Sequence, residues 1–150
     1  MTLLDAPTYD ASRARLIRNI AIGAVIAIVV LAIGSWWFWD WPEEHRINRF
    51  MATVEAGDLE KAYGMWNADP DWKQHPEKYS NYDLGRFQKD WGPGSDYGVI
   101  KSHNILMAKT VGNGVIVGIT INGGKTPLFL RVQHSTHEIG FSPVELYYGP

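Results

Sequence analysis

His103 is the residue whose type and surroundings most suggest catalysis. It stands in a segment of apolar character, and Asp90 and Asp96 precede it within one turn-rich stretch. A histidine beside a carboxylate can act as a general acid–base pair, which would place catalysis in a pocket near these residues. The same three residues fit a hydrogen-bonded surface equally well, and no phosphate loop, nucleophile elbow or metalloprotease motif accompanies them. We therefore predict no catalytic residue and no enzymatic activity.

His134 and His137 form a second candidate, for metal binding. They flank the pair Ser135–Thr136, so a hairpin turn there could bring the two rings together. Structural metal sites need further cysteine or carboxylate ligands at short spacing, and the chain contains no cysteine. The alternative is a polar hairpin tip, which we favour. No metal and no cofactor are predicted.

Large aromatic side chains recur at helical spacing in the middle of the chain and could line a ligand pocket. They are Trp66, Trp72, Tyr79, Phe87 and Trp91. Each ring must bury a large apolar area, so a shared core is the favoured interpretation. Whether the protein binds a small-molecule ligand stays open.

An uncharged segment near the N-terminus is predicted to anchor the rest of the chain to a membrane. Residues 20–39 read IAIGAVIAIVVLAIGSWWFW, and twenty helical residues span roughly 30 Å, the thickness of a bilayer core. We predict a tail at 1–18, a transmembrane helix at 19–41 and an external domain at 42–150. A cleaved signal peptide ending near Gly34 is the alternative, which the length of the segment disfavours.

The flanks of this segment indicate its orientation. Arg13, Arg15 and Arg18 precede it, whereas Glu43 and Glu44 follow it. Basic residues favour the cytoplasmic side, so the N-terminus is expected inside and the domain in the periplasm or outside the cell.

A dense aromatic cluster closes the segment. Its members are Trp36, Trp37, Phe38, Trp39 and Trp41. Together with Gly23 and Ala27, which have small-xxx-small spacing, these rings are predicted to contact another membrane subunit. The alternative is a simple aromatic belt that contacts only the lipid bilayer.

Beyond Pro42 the apolar spacing predicts three amphipathic helices. The first buries Ile47, Phe50, Met51 and Val54, the second Leu59, Ala62, Tyr63 and Trp66, and the third Leu84, Phe87 and Trp91. Gly57 should end the first helix and Asp58 should cap the second. Residues 68–79 read as a loop, and Ser80 with Asp83 resembles a capping box.

The remaining chain predicts an antiparallel meander of four strands. The expected strands are 97–108, 115–121, 128–133 and 138–148, joined by turns at 111–114, 122–125 and 135–136. Alternating apolar residues in the second strand should give the sheet one face for the helices. The fold class is therefore α+β, with about three helices on a curved four-stranded antiparallel sheet.

Residues 44–148 resemble the nuclear transport factor 2-like superfamily. The resemblance includes VEAGDLEKAYGMW, residues 54–66, whose most specific part is the pattern AGD-x-x-x-AY at Ala56, Gly57, Asp58, Ala62 and Tyr63. The segments FQKDWGPGSDYG and GFSP resemble small membrane-anchored bacterial members. Bacterial cytochrome oxidase assembly proteins have a similar layout, but none of their motifs is matched. The superfamily includes enzymes with Asp, His or Tyr inside the cone of the sheet, ligand binders and non-catalytic domains.

Composition limits the function classes. A net charge of −2 without a long basic run excludes the clustered cationic footprint that nucleic acid binding needs. We expect a single-pass, non-catalytic accessory or assembly subunit of a larger membrane protein complex. The alternative is a membrane-tethered ligand-binding domain or small enzyme with a pocket inside the sheet.

Overall fold

The computed structural model describes residues 10–37 and 41–147. They belong to two compact units that divide between Trp39 and Asp40. The first unit is helix α1, Ala11–Trp37. It begins earlier than the predicted segment because the Asp10 carboxylate accepts hydrogen bonds from Ser12 N and Arg13 N at 3.0 and 3.2 Å. Among the described residues this is the one helical segment long and apolar enough to cross a membrane, judged by length and composition.

The second unit contains helices followed by strands, which confirms the α+β class. The helices are α2 (Trp41–Glu55), α3 (Leu59–Trp66) and α4 (Leu84–Trp91), with 3-10 helices at Trp72–Gln74 and Pro76–Tyr82. The strands are β1 (His103–Val111), β2 (Gly114–Ile121), β3 (Leu128–Gln133) and β4 (Ile139–Phe141). They form an open antiparallel sheet in the order β1-β2-β3-β4.

The predicted apolar faces of the helices form the core. Ile47, Phe50 and Met51 are fully buried, and Val54 nearly so. The centre is aromatic: the Phe50 ring lies 5.0 Å from that of Trp91 and 5.5 Å from that of Trp66, centroid to centroid. The sheet supplies the other half of the core through Val115, Val117, Ile119, Ile121, Leu130, Val132 and Ile139.

The junction between α2 and α3 follows the sequence prediction. Gly57 has φ +78°, the left-handed conformation that glycine adopts without steric cost. Gly57 N donates to Val54 O and Asp58 N donates to Thr53 O, at 2.9 and 3.2 Å. These two bonds form a Schellman motif. Asp58 then caps α3, because its Oδ1 accepts from Lys61 N at 3.1 Å.

Two expectations about the connecting segments were wrong. Residues 68–79 are not an open loop, since two 3-10 helices occupy most of the stretch from Trp72 onward. The Ser80–Asp83 capping box is absent: Ser80 lies inside the second 3-10 helix, and Asp83 itself caps α4 by accepting from Arg86 N at 2.8 Å.

The outer strands are shorter than expected. β1 begins at His103 because the Asn122 side chain holds the preceding residues, accepting from Lys101 N at 2.8 Å and donating to Val99 O at 3.0 Å. β4 ends at Phe141, since Pro143 interrupts the strand and Ser142 turns back, with its hydroxyl donating to Val144 O. All eight residues of β2 are buried, so the alternation in its sequence does not produce an exposed face.

Candidate functional site

A recess of about 630 Å³ lies beside α3, and we call it the α3 groove. Its walls come from α2, α3, the segment after α3 and the turn between β3 and β4. The lining residues are Arg46, Asp58, Glu60, Lys61, Gly64, Met65, Ala68, Asp69, Pro70, Trp72, Lys73, Thr136 and His137. The recess lies outside the space between the helices and the sheet, which the aromatic core fills.

Trp72 forms one wall of the α3 groove and is half-buried. Its ring stands edge-on to Tyr63, with centroids 4.9 Å apart at 90°. Gly64 makes this approach possible, because a Cβ there would lie 3.3 Å from Trp72 Cδ1. The Trp72 indole N–H donates no hydrogen bond to any described residue.

Asp69 fixes the segment that carries Trp72. Its Oδ2 accepts hydrogen bonds from the Tyr79 hydroxyl at 2.6 Å and from His75 Nε2 at 2.5 Å, while Oδ1 accepts from Asp71 N at 3.0 Å. The bond from Tyr79, assisted by those from His75 and Asp71 N, lowers the pKa of Asp69 below its ordinary value. Asp69 is therefore an ionised anchor whose acceptor oxygens are already used.

The charges of the α3 groove are unevenly compensated. Each carboxylate already has a donor: Asp58 caps α3, Glu60 forms an ion pair with Lys73, and Asp69 is bonded as above. By contrast, the described residues offer no ion-pair partner to Arg46 or Lys61. The lining carries three cations and three carboxylates. Arg46 and Lys61 are the two cations among them that have no ion-pair partner in the described residues, and they lie in the same recess as the aromatic wall.

The two histidines of the hairpin turn do not converge on a metal. His134 Nδ1 donates to Glu43 Oε1 at 3.0 Å, which ties the end of β3 to the start of α2. His137 has φ +61° and lies at the rim of the α3 groove. In the described parts of the chain no group of three or more His, Cys, Asp or Glu side chains could hold a metal ion.

His103 is engaged on both sides of its ring and does not pair with Asp90 or Asp96. Its Nδ1 donates to Glu55 Oε1 at 2.5 Å, and its Nε2 lies 2.6 Å from Asn48 Oδ1. Both partners belong to α2, so His103 joins β1 to that helix. Asp90 instead accepts from the Tyr82 hydroxyl at 2.8 Å.

The five aromatic side chains proposed as core or pocket divide between the two roles. Trp66, Tyr79, Phe87 and Trp91 are buried, as the core interpretation requires. Trp72 alone among the five lines the α3 groove. Arg46, Lys61 and Asp69 were not among the predicted site residues. The Pro- and charge-rich composition of residues 68–79 was a signal for Asp69, whereas Arg46 and Lys61 lie outside that stretch.

The residues proposed for partner contact lie partly outside the described chain. Gly23 and Ala27 lie on the exposed surface of α1, and Trp36 is 84% exposed. Trp37 ends α1, and nothing is described of its side chain. Phe38 and Trp39 lie outside the described residues. Trp41 opens α2 and stacks on His45, with ring centroids 5.4 Å apart.

The lining of the α3 groove offers groups that could bind a ligand. Its free polar groups are hydrogen-bond donors, and its carboxylates are already engaged as acceptors. His137 and Thr136 line the groove together with Lys61 and the three carboxylates. Comparison with known proteins adds no assignment: no protein-family model, no curated protein and no solved structure matches this chain.

Proposed function

We propose that this chain is a single-pass, membrane-anchored, non-catalytic accessory or assembly subunit of a larger membrane protein complex. The carrying observation is the uncovered apolar surface of α1. Ile20, Ile28 and Leu31 are 63%, 66% and 70% exposed, and no described part of the chain buries them. An apolar surface of this extent needs lipid or another apolar helix to cover it.

The flanking charges support an orientation with the N-terminus in the cytoplasm. Arg13, Arg15 and Arg18 belong to the first turns of α1, and no acidic residue accompanies them there. Glu43 and Glu44 stand in the first turn of α2. Under the positive-inside rule the domain at 42–150 then lies in the periplasm or outside the cell, close to the bilayer surface.

The filled interior of the domain supports a non-catalytic role. We propose that the domain is a member of the nuclear transport factor 2-like superfamily, on the strength of its helices-first order and its four-stranded meander. Enzymes of that superfamily would carry their active site between helices and sheet. Here that space holds Phe50, Phe87 and Trp91, each at most 2% exposed. The packing of these described residues supports recognition at the surface of the domain over a reaction chamber inside it.

Partner contact within the bilayer is proposed for the span itself. Gly23 and Ala27 are one helical turn apart and therefore lie on the same side of α1. A Cβ at Gly23 would meet no atom within 4 Å, so that side can receive another helix at close distance. The rings of the aromatic cluster would extend this contact to the membrane surface.

Membrane anchoring is tested by fractionation and by reporter fusions. The full chain should remain in membranes after an alkaline carbonate wash, and a reporter that works only outside the cytoplasm should be active after Pro150. Ile28→Arg should release a large fraction of the chain, because a charge at mid-bilayer costs roughly 2.5–3.5 kcal/mol on insertion scales. Recovery of the unaltered chain in the soluble fraction would exclude the anchor.

The role of the span in recognition is tested with a chimera. Residues 20–41 are exchanged for an unrelated span of equal length that carries one interfacial Trp. The tagged original and the chimera are then solubilised in mild detergent and compared for co-purifying membrane proteins. We expect the original to retain a partner that the chimera loses. Identical partners for both would reduce the span to an anchor and assign recognition to the domain.

A further inference from the structure

We propose that the α3 groove binds a small anionic ligand, namely a carboxylate or phosphate group attached to an apolar or aromatic body. This inference goes beyond the accessory role and does not depend on it. It rests on the size of the recess, on the distribution of charge among its lining residues and on the fixed position of Trp72.

The dimensions of the groove fit a small molecule. Its volume of about 630 Å³ lies inside the range of roughly 300–1,000 Å³ typical of ligand sites. Met65, Ala68, Pro70 and Trp72 give it an apolar surface, against which the body of a ligand would lose its contact with water. An aromatic body would gain most, because the half-buried Trp72 ring offers a large contact area.

The polar groups of the groove select the charge of that ligand. Arg46 from α2 and Lys61 from α3 have no ion-pair partner among the described residues, and the Trp72 indole N–H has no acceptor there. Arg46, Lys61 and Trp72, which come from three different segments, thus line one recess. Asp69 accepts three hydrogen bonds from the protein and Asp58 accepts one from Lys61 N, so these carboxylates are less available to a ligand than the unpaired Arg46 and Lys61.

The aromatic wall is fixed before any ligand arrives. Asp69 holds the segment through three hydrogen bonds, and Trp72 packs edge-on against the buried ring of Tyr63. Gly64 leaves the space that this packing needs: a Cβ there would lie 3.2 Å from Asp69 O and 3.3 Å from Trp72 Cδ1. A preformed site loses little conformational entropy on binding, which is favourable for a small ligand.

The anion could belong to a free metabolite or to the headgroup of an acidic lipid, because both present the same chemistry to Arg46 and Lys61. A membrane anchor would bring the domain close to lipid headgroups, so the two sources must be separated by experiment.

The test uses the full chain in phosphatidylcholine nanodiscs and isothermal titration calorimetry. The probes are 2-naphthoate and its uncharged counterpart 2-naphthamide. We expect saturable binding of 2-naphthoate and binding at least about tenfold weaker for 2-naphthamide, since a charge-assisted hydrogen bond accounts for tenfold or more in affinity. Lys61→Gln and Arg46→Gln should each raise the Kd for 2-naphthoate about tenfold.

Lys89→Gln is the matched control, because Lys89 is also an exposed helical lysine but lies on α4 outside the groove. It should leave the Kd unchanged. Gly64→Ala is a second variant, which keeps every charge and displaces Trp72; it should weaken 2-naphthoate binding while leaving the circular dichroism spectrum intact.

The source of the anion is read from a further arm. The titration is repeated with the unaltered chain in nanodiscs that contain phosphatidylglycerol. Loss of 2-naphthoate binding there identifies a lipid headgroup as the occupant of the groove, whereas undiminished binding identifies a free anion. Absence of saturable binding of 2-naphthoate in phosphatidylcholine, equal affinity for 2-naphthamide, or equal effects of Lys61→Gln and Lys89→Gln would overturn the proposal.

Discussion

Substitutions at Gly57 separate backbone strain from packing at the junction of α2 and α3. The residue has φ +78°, and a Cβ placed there would meet no atom within 4 Å. The cost of a side chain is therefore conformational and not steric. Both hydrogen bonds of the Schellman motif, from Gly57 N and from Asp58 N, depend on this conformation.

The expected magnitudes follow from the left-handed region. An ordinary L-residue in that region costs about 1–2 kcal/mol, so Gly57→Ala should destabilise the domain by about that amount. Gly57→Asn should cost less, because a short polar side chain can form local hydrogen bonds there. Gly57→Val should cost most, since a β-branched residue is an outlier at positive φ.

Thermal unfolding of the full chain in a zwitterionic detergent, followed by near-ultraviolet circular dichroism, measures these differences. Each kcal/mol should lower Tm by about 4 °C for a domain of this size. The control is Gly94, where a Cβ is equally unhindered and φ is not in the left-handed region. Equal Tm values for Gly57→Asn and Gly57→Val, or losses as large at Gly94→Val, would refute the argument.

Three further predictions concern titration and the histidine on β1. The pKa of Asp69 is lowered in the folded state. Its contribution to stability is therefore present above the ordinary carboxylate pKa and is lost as the pH falls through the folded pKa. Tyr79→Phe should reduce this acid dependence of Tm. Burial, with the nearby Asp90 carboxylate, raises the pKa of the Tyr82 hydroxyl in the folded state. The contribution of the neutral hydroxyl to stability is therefore fully present below about pH 10 and is lost as the pH rises through the folded pKa. Tyr82→Phe should reduce the decrease of Tm at alkaline pH. His103→Ala should lower Tm while leaving cellular function nearly intact, and loss of function with an unchanged Tm would instead favour a catalytic role.

Short-range sequence patterns predicted most of the fold. The spacing of Ile47, Phe50 and Val54 predicted the buried face of α2, because a 3.6-residue period and a single core leave few alternatives. The turn glycine Gly57 and the cap Asp58 were equally predictable, since each acts on neighbours within four residues. The bounds of β3 came out as expected for the same reason, because turn residues flank a clean alternation on both sides.

Elements governed by distant side chains could not be predicted. β1 starts late because the Asn122 amide, about twenty positions away in sequence, occupies the backbone groups of residues 97–102. His103 finds its carboxylate in Glu55, which is 48 positions away; proximity in sequence had pointed to Asp90 and Asp96. Proximity in sequence is therefore a poor predictor of side-chain hydrogen-bond partners when strands and helices pack against each other.

The α3 groove shows why a binding site is harder to predict than a core. The spacing of Ala62, Tyr63 and Trp66 required Lys61 to point away from the core, and an outward lysine ordinarily meets only water. Its significance arises because the segment after α3 brings Trp72 beside it and α2 brings Arg46 from fifteen positions upstream. Neither contact can be predicted from the periodicity of the sequence, because a groove is the space left between several elements. The unpaired charge of Lys61 also depends on the fold, because Glu60, its immediate neighbour, forms an ion pair with Lys73. The proposed recognition at this surface therefore depends on which side chains form ion pairs in the folded protein. Replacing Lys73, the partner of Glu60, would change the charges of the groove without changing a core residue.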